Sequence, residues 1–235
     1  MHVASDLLTE SETLSITRNL MSLTVRFPKG LYGITPEWDD TDALLAAITA
    51  ATHGGMTALQ WRRKTPPPPD QARRVVEHCR SLGVISIIND TPELARLLGA
   101  DGVHMGRDDG DPAAARALLG PHALIGCSCY NEPERALKAL QAGADYIAFG
   151  AVFPSSVKPN APRAQLETIT QGAELVQQYS RAGQRAAVVT IGGITPENAR
   201  SVVAAGADSI AAITALFGTP DIQATAQRYT DCFTF

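Results

Sequence analysis

The feature that most constrains the fold of this chain is a repeat. From residue 31 onwards, short β-branched or apolar runs alternate with longer amphipathic segments. Such runs predict strands, the segments between them predict helices, and their alternation is typical of a parallel sheet. The predicted strands are 31–35, 58–62, 84–88, 102–105, 123–127, 146–149, 187–191 and 209–213. Eight such units predict a single α/β domain, a (β/α)8 barrel of the TIM type, for which 235 residues suffice.

The same repeat sets the domain boundaries. Residues 1–28 precede the first predicted strand and are expected to form a poorly ordered arm, while residues 29–235 form the catalytic barrel domain. Three Gly-Ala-Asp turns, beginning at Gly99, Gly143 and Gly206, recur just before predicted strands. Glycine suits the left-handed residue that ends a helix, so these turns are predicted to be structural connections opposite the chemistry.

Charge, cysteine usage and hydropathy exclude several classes of protein. The formal net charge is −4 and no block of Lys or Arg stands out, so we expect no nucleic-acid partner. The spacing of Cys127 and Cys129 matches neither a CxxC redox motif nor a usual zinc knuckle, which indicates a reduced, cytoplasmic protein. No stretch reaches the roughly 18 uncharged apolar residues of a membrane helix, so we expect no membrane association.

Two cations and an amide follow the second predicted strand on one face. Period-two alternation places Gln60, Arg62 and Lys64 towards the barrel axis, with Trp61 and Arg63 outwards. Unpaired buried charge is costly, so the inward set predicts either an anionic ligand or ion pairs with acids of neighbouring strands. Active sites of these barrels lie at the carboxyl ends of the strands, where this set falls.

Carboxylates follow the third and fourth predicted strands at the same rim. Asp90 comes directly after Asn89, and Asp109 lies in the segment after the fourth strand. Mg²⁺ is commonly held by one or two carboxylates together with water and substrate phosphate, so these residues predict a Mg²⁺ site facing Arg62 and Lys64. A turn or a helix cap is the alternative interpretation of Asn89-Asp90.

The later strand ends carry signatures of anion binding. The loop after the sixth strand contains small hydroxyls, prolines and Lys158, which predicts a mobile loop over a substrate; an ordinary exposed loop is the alternative. Gly192 and Gly193 follow the seventh strand, where loops of these barrels commonly bind phosphate. His104 is not assigned as a catalyst, because a packed, hydrogen-bonded strand position explains it equally well.

Several of these motifs, in this order and spacing, resemble the thiamine-phosphate synthase family over about residues 30–217. The matching motifs are Gln60-x-Arg62-x-Lys64, Ile88-Asn89-Asp90, Gly99-Ala100-Asp101-Gly102-Val103-His104-x-Gly106-x-Asp108-Asp109, Gly126-x-Ser128, Gly143-Ala144-Asp145-Tyr146-Ile147-x-Phe149-Gly150, Val152-Phe153-Pro154 with Lys158, and Ile191-Gly192-Gly193-Ile194. The resemblance implies a Mg²⁺-dependent transferase of thiamine biosynthesis. It would join 4-amino-2-methyl-5-hydroxymethylpyrimidine diphosphate to a thiazole phosphate and release pyrophosphate.

The resemblance also implies a role for each matching residue. The diphosphate would be held by Gln60, Arg62, Lys64, Asn89 and Lys158. Asp90 and Asp109 would bind Mg²⁺, and Ser128 would lie beside the pyrimidine. The thiazole phosphate would be received, largely through backbone groups, by Ser155, Ser156, Val157, Val189, Ile191, Gly193 and Ile213. The residues assigned to catalysis are Arg62, Lys64, Ser128 and Lys158.

The implied chemistry suits these residue types. An electron-rich aminopyrimidine stabilises a cation at its methylene once metal and basic side chains neutralise the leaving pyrophosphate. The thiazole nitrogen is already a nucleophile, so holding it near that cation supplies most of the remaining acceleration. A strong protein base is not required.

The chain departs from the family pattern at four places. Arg107, Val157, Ala211 and residues 163–165 stand where the family usually has Gln, Thr, a small hydroxyl and a Gly. Two alternatives therefore stay open. One is a thiazole tautomerase of the same fold, which carries a His shortly after the fifth-strand Ser, where this chain has Tyr130. The other is a barrel that binds thiamine precursors without turnover. A homo-oligomer is compatible with either.

Overall fold

The predicted strands close into one parallel barrel. The computed structural model describes residues 23–154, 163–180 and 183–234. Its strands are β1 (Thr24–Val25), β2 (Gly30–Ile34), β3 (Met56–Trp61), β4 (Ile85–Asn89), β5 (Gly102–Met105), β6 (Leu124–Tyr130), β7 (Tyr146–Gly150), β8 (Gln184–Arg185), β9 (Ala187–Ile191) and β10 (Ser209–Ala212). β2 to β7, β9 and β10 pair in that order, β10 returns to β2, and β1 pairs separately with β8. The (β/α)8 prediction is confirmed.

Helices connect the strands and cover the outside of the barrel. They are α1 (Thr41–His53), α2 (Gln71–Leu82), α3 (Pro92–Leu98), α4 (Pro112–Leu119), α5 (Pro133–Gln141), α6 (Leu166–Gln178), α7 (Ala199–Ala204), α8 (Thr214–Phe217) and α9 (Ile222–Thr230), followed by a 3-10 turn, Asp231–Phe233. In the described ranges, no helix combines the length and the apolar character that crossing a membrane requires.

Strand side chains alternate between two apolar layers. Outward-facing residues such as Leu59, Trp61 and Ile88 pack against the helices. The inward-facing layer fills the barrel axis and contains Phe27, Tyr32, Ile34, Ala58, Ile87, Leu124, Tyr146, Ala148, Ala187, Val189 and Ala211. The period-two alternation expected of strands is therefore realised around the barrel.

The Gly-Ala-Asp turns are structural, as predicted, and their aspartates share one task. Each carboxylate accepts a hydrogen bond from a backbone N–H of the preceding barrel strand. The pairs are Asp101 with Ser86 at 2.8 Å, Asp145 with Ile125 at 2.8 Å, and Asp208 with Val188 at 3.0 Å. The last two also form ion pairs, Asp145 with Arg26 and Arg116, and Asp208 with Arg185. These contacts hold neighbouring strands together at the amino-terminal face of the barrel.

The amino-terminal end of the barrel is closed by residues that precede β2. Phe27 is fully buried, and its ring centre lies 4.9 Å from that of Tyr32 and 4.3 Å from that of Tyr146. Residues 24–27, which the sequence assigned to the poorly ordered arm, therefore belong to the barrel floor. The rest of that prediction falls on residues 1–22, which lie outside the described residues.

Candidate active site

Polar residues at the carboxyl end of β3 follow the predicted alternation. Gln60 is 2% exposed, points inwards, and donates from Nε2 to the Tyr32 hydroxyl at 2.9 Å. Trp61 packs in the outer layer, and Arg63 turns outwards to pair with Asp39 at 2.7 Å. Gln60 therefore lies below the mouth of the barrel, where its amide already has a partner.

Arg62 and Lys64 lie at the mouth, and neither forms an ion pair with an acid in the described part of the chain. The Arg62 backbone is fixed: its N–H donates to Thr35 Oγ1 at 2.9 Å, and that hydroxyl donates to the Arg62 carbonyl at 3.2 Å. Lys64 is exposed. The alternative prediction, that Arg62 and Lys64 form ion pairs with acids of neighbouring strands, is therefore wrong for the described residues.

Two carboxyl groups meet at the same rim. Asp90 has a φ of 63°, in the left-handed region that Asp adopts more readily than most residues. Its carboxyl is hydrogen-bonded to that of Asp109, whose Oδ2 also accepts from Gly106 N–H at 2.6 Å. Partial burial raises the pKa of Asp90 to about 6, reinforced by Asp109 and opposed by the positive charge of Arg62. Carboxyl groups this close share a proton or a cation.

The donor set at this rim fits Mg²⁺. Asp90 and Asp109 offer hard oxygen ligands, and the neighbouring Asn89 side chain lowers the pKa of Asp90. Among the described residues, no group of three or more His, Cys, Asp or Glu forms a more complete metal site. A magnesium ion here would therefore take its other ligands from water or substrate. The helix-cap interpretation of Asp90 is wrong, because Thr91 is the N-cap of α3.

Ser128, near the end of β6, is hydrogen-bonded to the side chain of His104. His104 Nε2 lies 2.9 Å from Ser128 Oγ, and Nδ1 lies 3.1 Å from the Tyr146 hydroxyl. Burial lowers the pKa of His104 to about 4, so the ring is neutral near pH 7. His104 is thus a packed, hydrogen-bonded strand residue. Sequence reasoning missed Tyr32 and Tyr146, although an inward-facing phenol on a strand signals a hydroxyl that needs a partner.

Arg107 is engaged away from the carboxyl pair. Its guanidinium forms an ion pair with Glu132 and lies 5.0 Å from the centre of the Tyr130 ring. The sequence left open whether this cation assists the diphosphate or weakens metal binding at Asp109. In this arrangement its charge is taken up by Glu132, so Arg107 forms part of the rim between β5 and β6.

Arg135, on α5, joins two parts of the site. Its Nε donates to the Ser128 carbonyl at 2.8 Å, and its Nη2 donates to the Gly106 carbonyl at 3.2 Å. Gly106 is also the residue whose N–H binds Asp109. The arginine therefore ties the strand end that carries Ser128 to the loop that carries Asp109. Nothing in its helical sequence context signalled this role.

The glycines after β9 allow two loops to approach each other closely. Gly192 and Gly193 have φ values of 100° and 64°, and a Cβ on Gly193 would overlap the backbone of residues 153–154. The loop after β7 is bonded to this turn, with Val152 N–H donating to Ile191 O at 3.0 Å and Phe153 N–H to Gly192 O at 2.9 Å. The turn therefore requires both glycines.

The remaining predicted thiazole-site residues lie at different depths. Ile191 ends β9 and Ile213 follows β10, and both are half-buried near the mouth. Val189 is 1% exposed and lies two residues deeper on the inner face. Ser155, Ser156, Val157 and Lys158 lie outside the described residues. The structure thus brings the β3, β4, β5 and β6 residues to one mouth, with the β9 and β10 ends completing the ring.

Comparison with known sequences agrees with the motifs. The sequence model of the family described as thiamine monophosphate synthase matches residues 31–216. A thiamine-phosphate synthase of Bordetella pertussis is 54% identical over 213 residues, covering 89% of this chain and 97% of the relative. A thiamine-phosphate synthase of Methylococcus capsulatus is 45% identical over 216 residues, covering 90% and 93%.

Comparison with solved structures gives the same fold. A thiamine phosphate pyrophosphorylase from Pyrococcus furiosus superposes with a TM-score of 0.73 at 30% identity, covering 88% of this chain and 96% of the other. A 3-hexulose-6-phosphate synthase superposes with a TM-score of 0.66 at 16% identity, covering 86% and 99%. At that identity the second likeness shows the fold alone.

Proposed function

The chain belongs to the thiamine monophosphate synthase family, and on that premise we propose that it is a Mg²⁺-dependent thiamine-phosphate synthase. It condenses 4-amino-2-methyl-5-hydroxymethylpyrimidine diphosphate with a thiazole phosphate and releases thiamine phosphate and pyrophosphate. A cytoplasmic location is part of the proposal, supported by four cysteines that are all buried free thiols.

One observation carries the proposal: opposite charges are arranged around a common mouth. Arg62 and Lys64 have no acidic partner among the described residues, while Asp90 and Asp109 share a hydrogen bond across the rim. The adjacent carboxyl groups repel each other when both are ionised, and the two cations have no carboxylate of the described chain to bind. A diphosphate together with a divalent cation would neutralise both sets at once.

Mg²⁺ would be held by Asp90 and Asp109. When bound, it would supply positive charge that stabilises the departing pyrophosphate. Arg62 and Lys64 would bind the same phosphates from the other side. The planar guanidinium of Arg62 can donate two parallel hydrogen bonds, whereas the ammonium of Lys64 acts as a compact charge. The Asn89 side chain beside Asp90 favours the ionised form of that carboxyl, since it lowers the pKa of Asp90.

The rest of the chemistry depends on positioning. Ser128 would contact the pyrimidine, and Arg135 fixes the backbone of Ser128 relative to the acidic loop. The Gly192-Gly193 turn and the residues after β10 would receive the thiazole phosphate, bringing the nucleophilic nitrogen towards the methylene carbon. Lys158 and the adjacent hydroxyls, Ser155 and Ser156, keep the roles that the resemblance implies.

Release of pyrophosphate tests the proposal directly. The purified chain is assayed with both substrates, with each substrate alone, and with Mg²⁺ replaced by a chelator. We expect pyrophosphate and thiamine phosphate in equal amounts only when both substrates and Mg²⁺ are present. Tautomerisation of a thiazole without pyrophosphate release would instead assign a tautomerase. Tight binding of both substrates without turnover would assign a non-catalytic precursor-binding barrel.

A further inference from the structure

A continuous chain of hydrogen bonds crosses the barrel beneath the proposed active site, buried at Gln60 and the two tyrosines and partly buried at His104 and Ser128. Gln60 Nε2 donates to the Tyr32 hydroxyl at 2.9 Å, and the Tyr32 and Tyr146 hydroxyls are 3.0 Å apart. The Tyr146 hydroxyl is 3.1 Å from His104 Nδ1, and His104 Nε2 is 2.9 Å from Ser128 Oγ. The chain thus has an amide at one end and, at the other, the serine proposed to contact the pyrimidine.

The number of protons in this chain gives it a direction. The Gln60 amide nitrogen only donates, so the Tyr32 oxygen accepts there and its own proton is available for Tyr146. The Tyr146 proton is then available for His104 Nδ1. Because a neutral imidazole carries one N–H, the proton lies on Nε2 and is donated to Ser128. Four donors satisfy four bonds, and the Ser128 proton is left over.

The opposite tautomer of His104 would leave a group unsatisfied. If Nδ1 carried the proton, the Tyr146 oxygen would accept from both Tyr32 and His104. Its own proton would then have no acceptor within this chain, at a residue that is 0% exposed. A buried donor left unpaired costs about 1–3 kcal/mol. Burial also raises the pKa of both phenols, so neither hydroxyl loses its proton to solve the conflict.

We propose that this chain fixes His104 as the Nε2–H tautomer and thereby leaves the Ser128 hydroxyl free to donate a hydrogen bond to the pyrimidine. Tyr32, Tyr146 and His104 are then positioning residues that act through Ser128. The first part concerns the protein alone, whereas the second rests on the proposed function. In the Nδ1–H tautomer, the Ser128 hydroxyl would donate its proton to His104 Nε2 and could only accept a hydrogen bond from the pyrimidine. Specificity follows, because a ring nitrogen accepts from Ser128 and an exocyclic amino group does not.

The tautomer is measured without any substrate. Nitrogen-15 NMR of histidine-labelled protein separates the Nε2–H from the Nδ1–H form, and His104→Gln identifies the signal. If that variant does not fold, His2→Gln, His53→Gln, His78→Gln and His122→Gln assign the signal by elimination. We expect the Nε2–H form. A single Nδ1–H form would overturn the proposal, whether or not the protein proves to be a synthase.

Tyr146→Phe tests whether the chain sets the tautomer. The variant keeps the ring that packs on Phe27 but removes the hydroxyl, so the His104 signal should change to a mixture of both forms. Tyr229→Phe is the matched control, because its buried hydroxyl donates to the Ile194 carbonyl at 2.8 Å and is not part of the chain. It should leave the His104 signal unchanged. An unchanged tautomer in Tyr146→Phe would overturn the proposal.

Kinetics test the consequence for the substrate. We expect Tyr146→Phe to raise the KM for the pyrimidine diphosphate about threefold to tenfold and to change the KM for the thiazole phosphate by less than about twofold, on the scale of one hydrogen bond. Equal changes for both substrates would contradict a role through Ser128.

Analogues of the pyrimidine diphosphate identify the acceptor. Inhibition by two analogues, each with one ring nitrogen replaced by CH, is compared in the wild type and in Ser128→Ala. In the wild type, one analogue should bind about tenfold more weakly than the parent compound. In Ser128→Ala, that analogue and the parent should bind equally well. If the affinity ratio of analogue to parent is the same in the wild type and in Ser128→Ala for both analogues, Ser128 does not donate to a ring nitrogen. That result would refute the proposal even where pyrophosphate release confirms the synthase.

Discussion

At the scale of single residues, the partner of each charged group decides its role at the rim. Arg63 and Arg107 are paired with Asp39 and Glu132, whereas Arg62 and Lys64 lie at the mouth with no acid partner among the described residues. Strand alternation predicts that Arg63 faces away from Arg62 and Lys64, but it does not predict the pairing of Arg107 with Glu132. The distinction matters because only an unpaired cation gains strongly when an anion binds.

The carboxyl pair makes the first prediction. Asp90→Asn and Asp109→Asn should each lower kcat by at least ~100-fold, because each removes charge that holds the cation beside the leaving group. Asp108→Asn is the matched control, since Asp108 is exposed next to the pair and should keep near wild-type rates. The measurement is pyrophosphate release against Mg²⁺ concentration. Wild-type rates in both pair variants would place the metal elsewhere.

Lys64 makes the second prediction. Lys64→Ala should raise the KM for the pyrimidine diphosphate by about tenfold or more and leave the KM for the thiazole phosphate within about twofold, since one desolvated charge contact contributes on this scale. Lys138→Ala, on the exposed face of α5, controls for a change in net charge. Steady-state kinetics with each substrate varied in turn supply the comparison. Equal effects on both constants would contradict separate anion sites.

His104 makes a prediction about pH. Burial lowers its pKa to about 4 in the folded chain, below the ordinary value of 6.5. As the pH falls, the unfolded chain therefore binds a proton near 6.5 that the folded chain does not bind until about 4. The contribution to stability is complete above 6.5 and is lost as the pH falls through this window.

The measurement is urea unfolding at several pH values. As the pH falls from 6.5 to 4, the wild-type free energy of unfolding should decrease more steeply than that of His104→Asn. The difference between the two slopes should correspond to at most one additional proton bound by the unfolded chain. Above this window, the difference between the two proteins should not change with pH. Parallel curves throughout would mean that His104 titrates normally.

At the scale of elements, the strands are matched to one another by small residues and by aspartates. The inward position of Gly126 on β6 lies against the Tyr146 ring on β7, and a Cβ there would overlap that ring. The Gly-Ala-Asp aspartates bind backbone N–H groups of the preceding strand, and the Asp145 contact with Ile125 lies directly beside Gly126 and Tyr146. Gly126 makes room for the buried Tyr146 ring, and the aspartates hold together the strands that carry it.

Gly126→Ala should destabilise the fold by about 1–3 kcal/mol, because the added methyl group displaces the Tyr146 ring. The cost should shrink in a Tyr146→Leu background, where the ring is gone. A double-mutant cycle by urea unfolding measures this coupling. Equal costs in both backgrounds would show that Gly126 is required for another reason.

At the scale of the whole molecule, the barrel has one closed end and one open end. Phe27 fills the axis from below, in contact with Tyr32 and Tyr146, while the polar residues gather at the other end. The hydrogen-bond chain from Gln60 to Ser128 lies between the two. The floor therefore supports the side chains on which the site rests, although it contains no site residue.

Removal of the floor should be costly. Phe27→Ala should lower the free energy of unfolding by about 3–5 kcal/mol, because it leaves a cavity beneath the two tyrosines. Leu97→Ala is the control, since that side chain is 71% exposed and its loss should cost little. Urea unfolding of both variants provides the measurement. If Phe27→Ala lowers the free energy of unfolding no more than the control does, Phe27 does not contribute to the stability of the barrel core.

Sequence patterns anticipated much of the site, because strand periodicity is a local property. Alternation correctly separated inward Gln60 from outward Trp61 and Arg63. The order of motifs also placed Asp90 and Asp109 at one rim. The end of β6 was missed, since a bulge between Ser128 and Tyr130 keeps the chain paired with β7 beyond the apolar run.

The sequence by itself determined the eight-unit repeat, the direction of strand side chains and the family motifs, all of which are written within short windows. Only the tertiary structure decided which groups meet. The Tyr32 and Tyr146 hydroxyls are separated by 114 positions, and His104 and Ser128 by 24, yet each pair is in hydrogen-bond contact. Such pairings depend on barrel closure, which brings distant strands to one axis, and no local pattern encodes the distance between them.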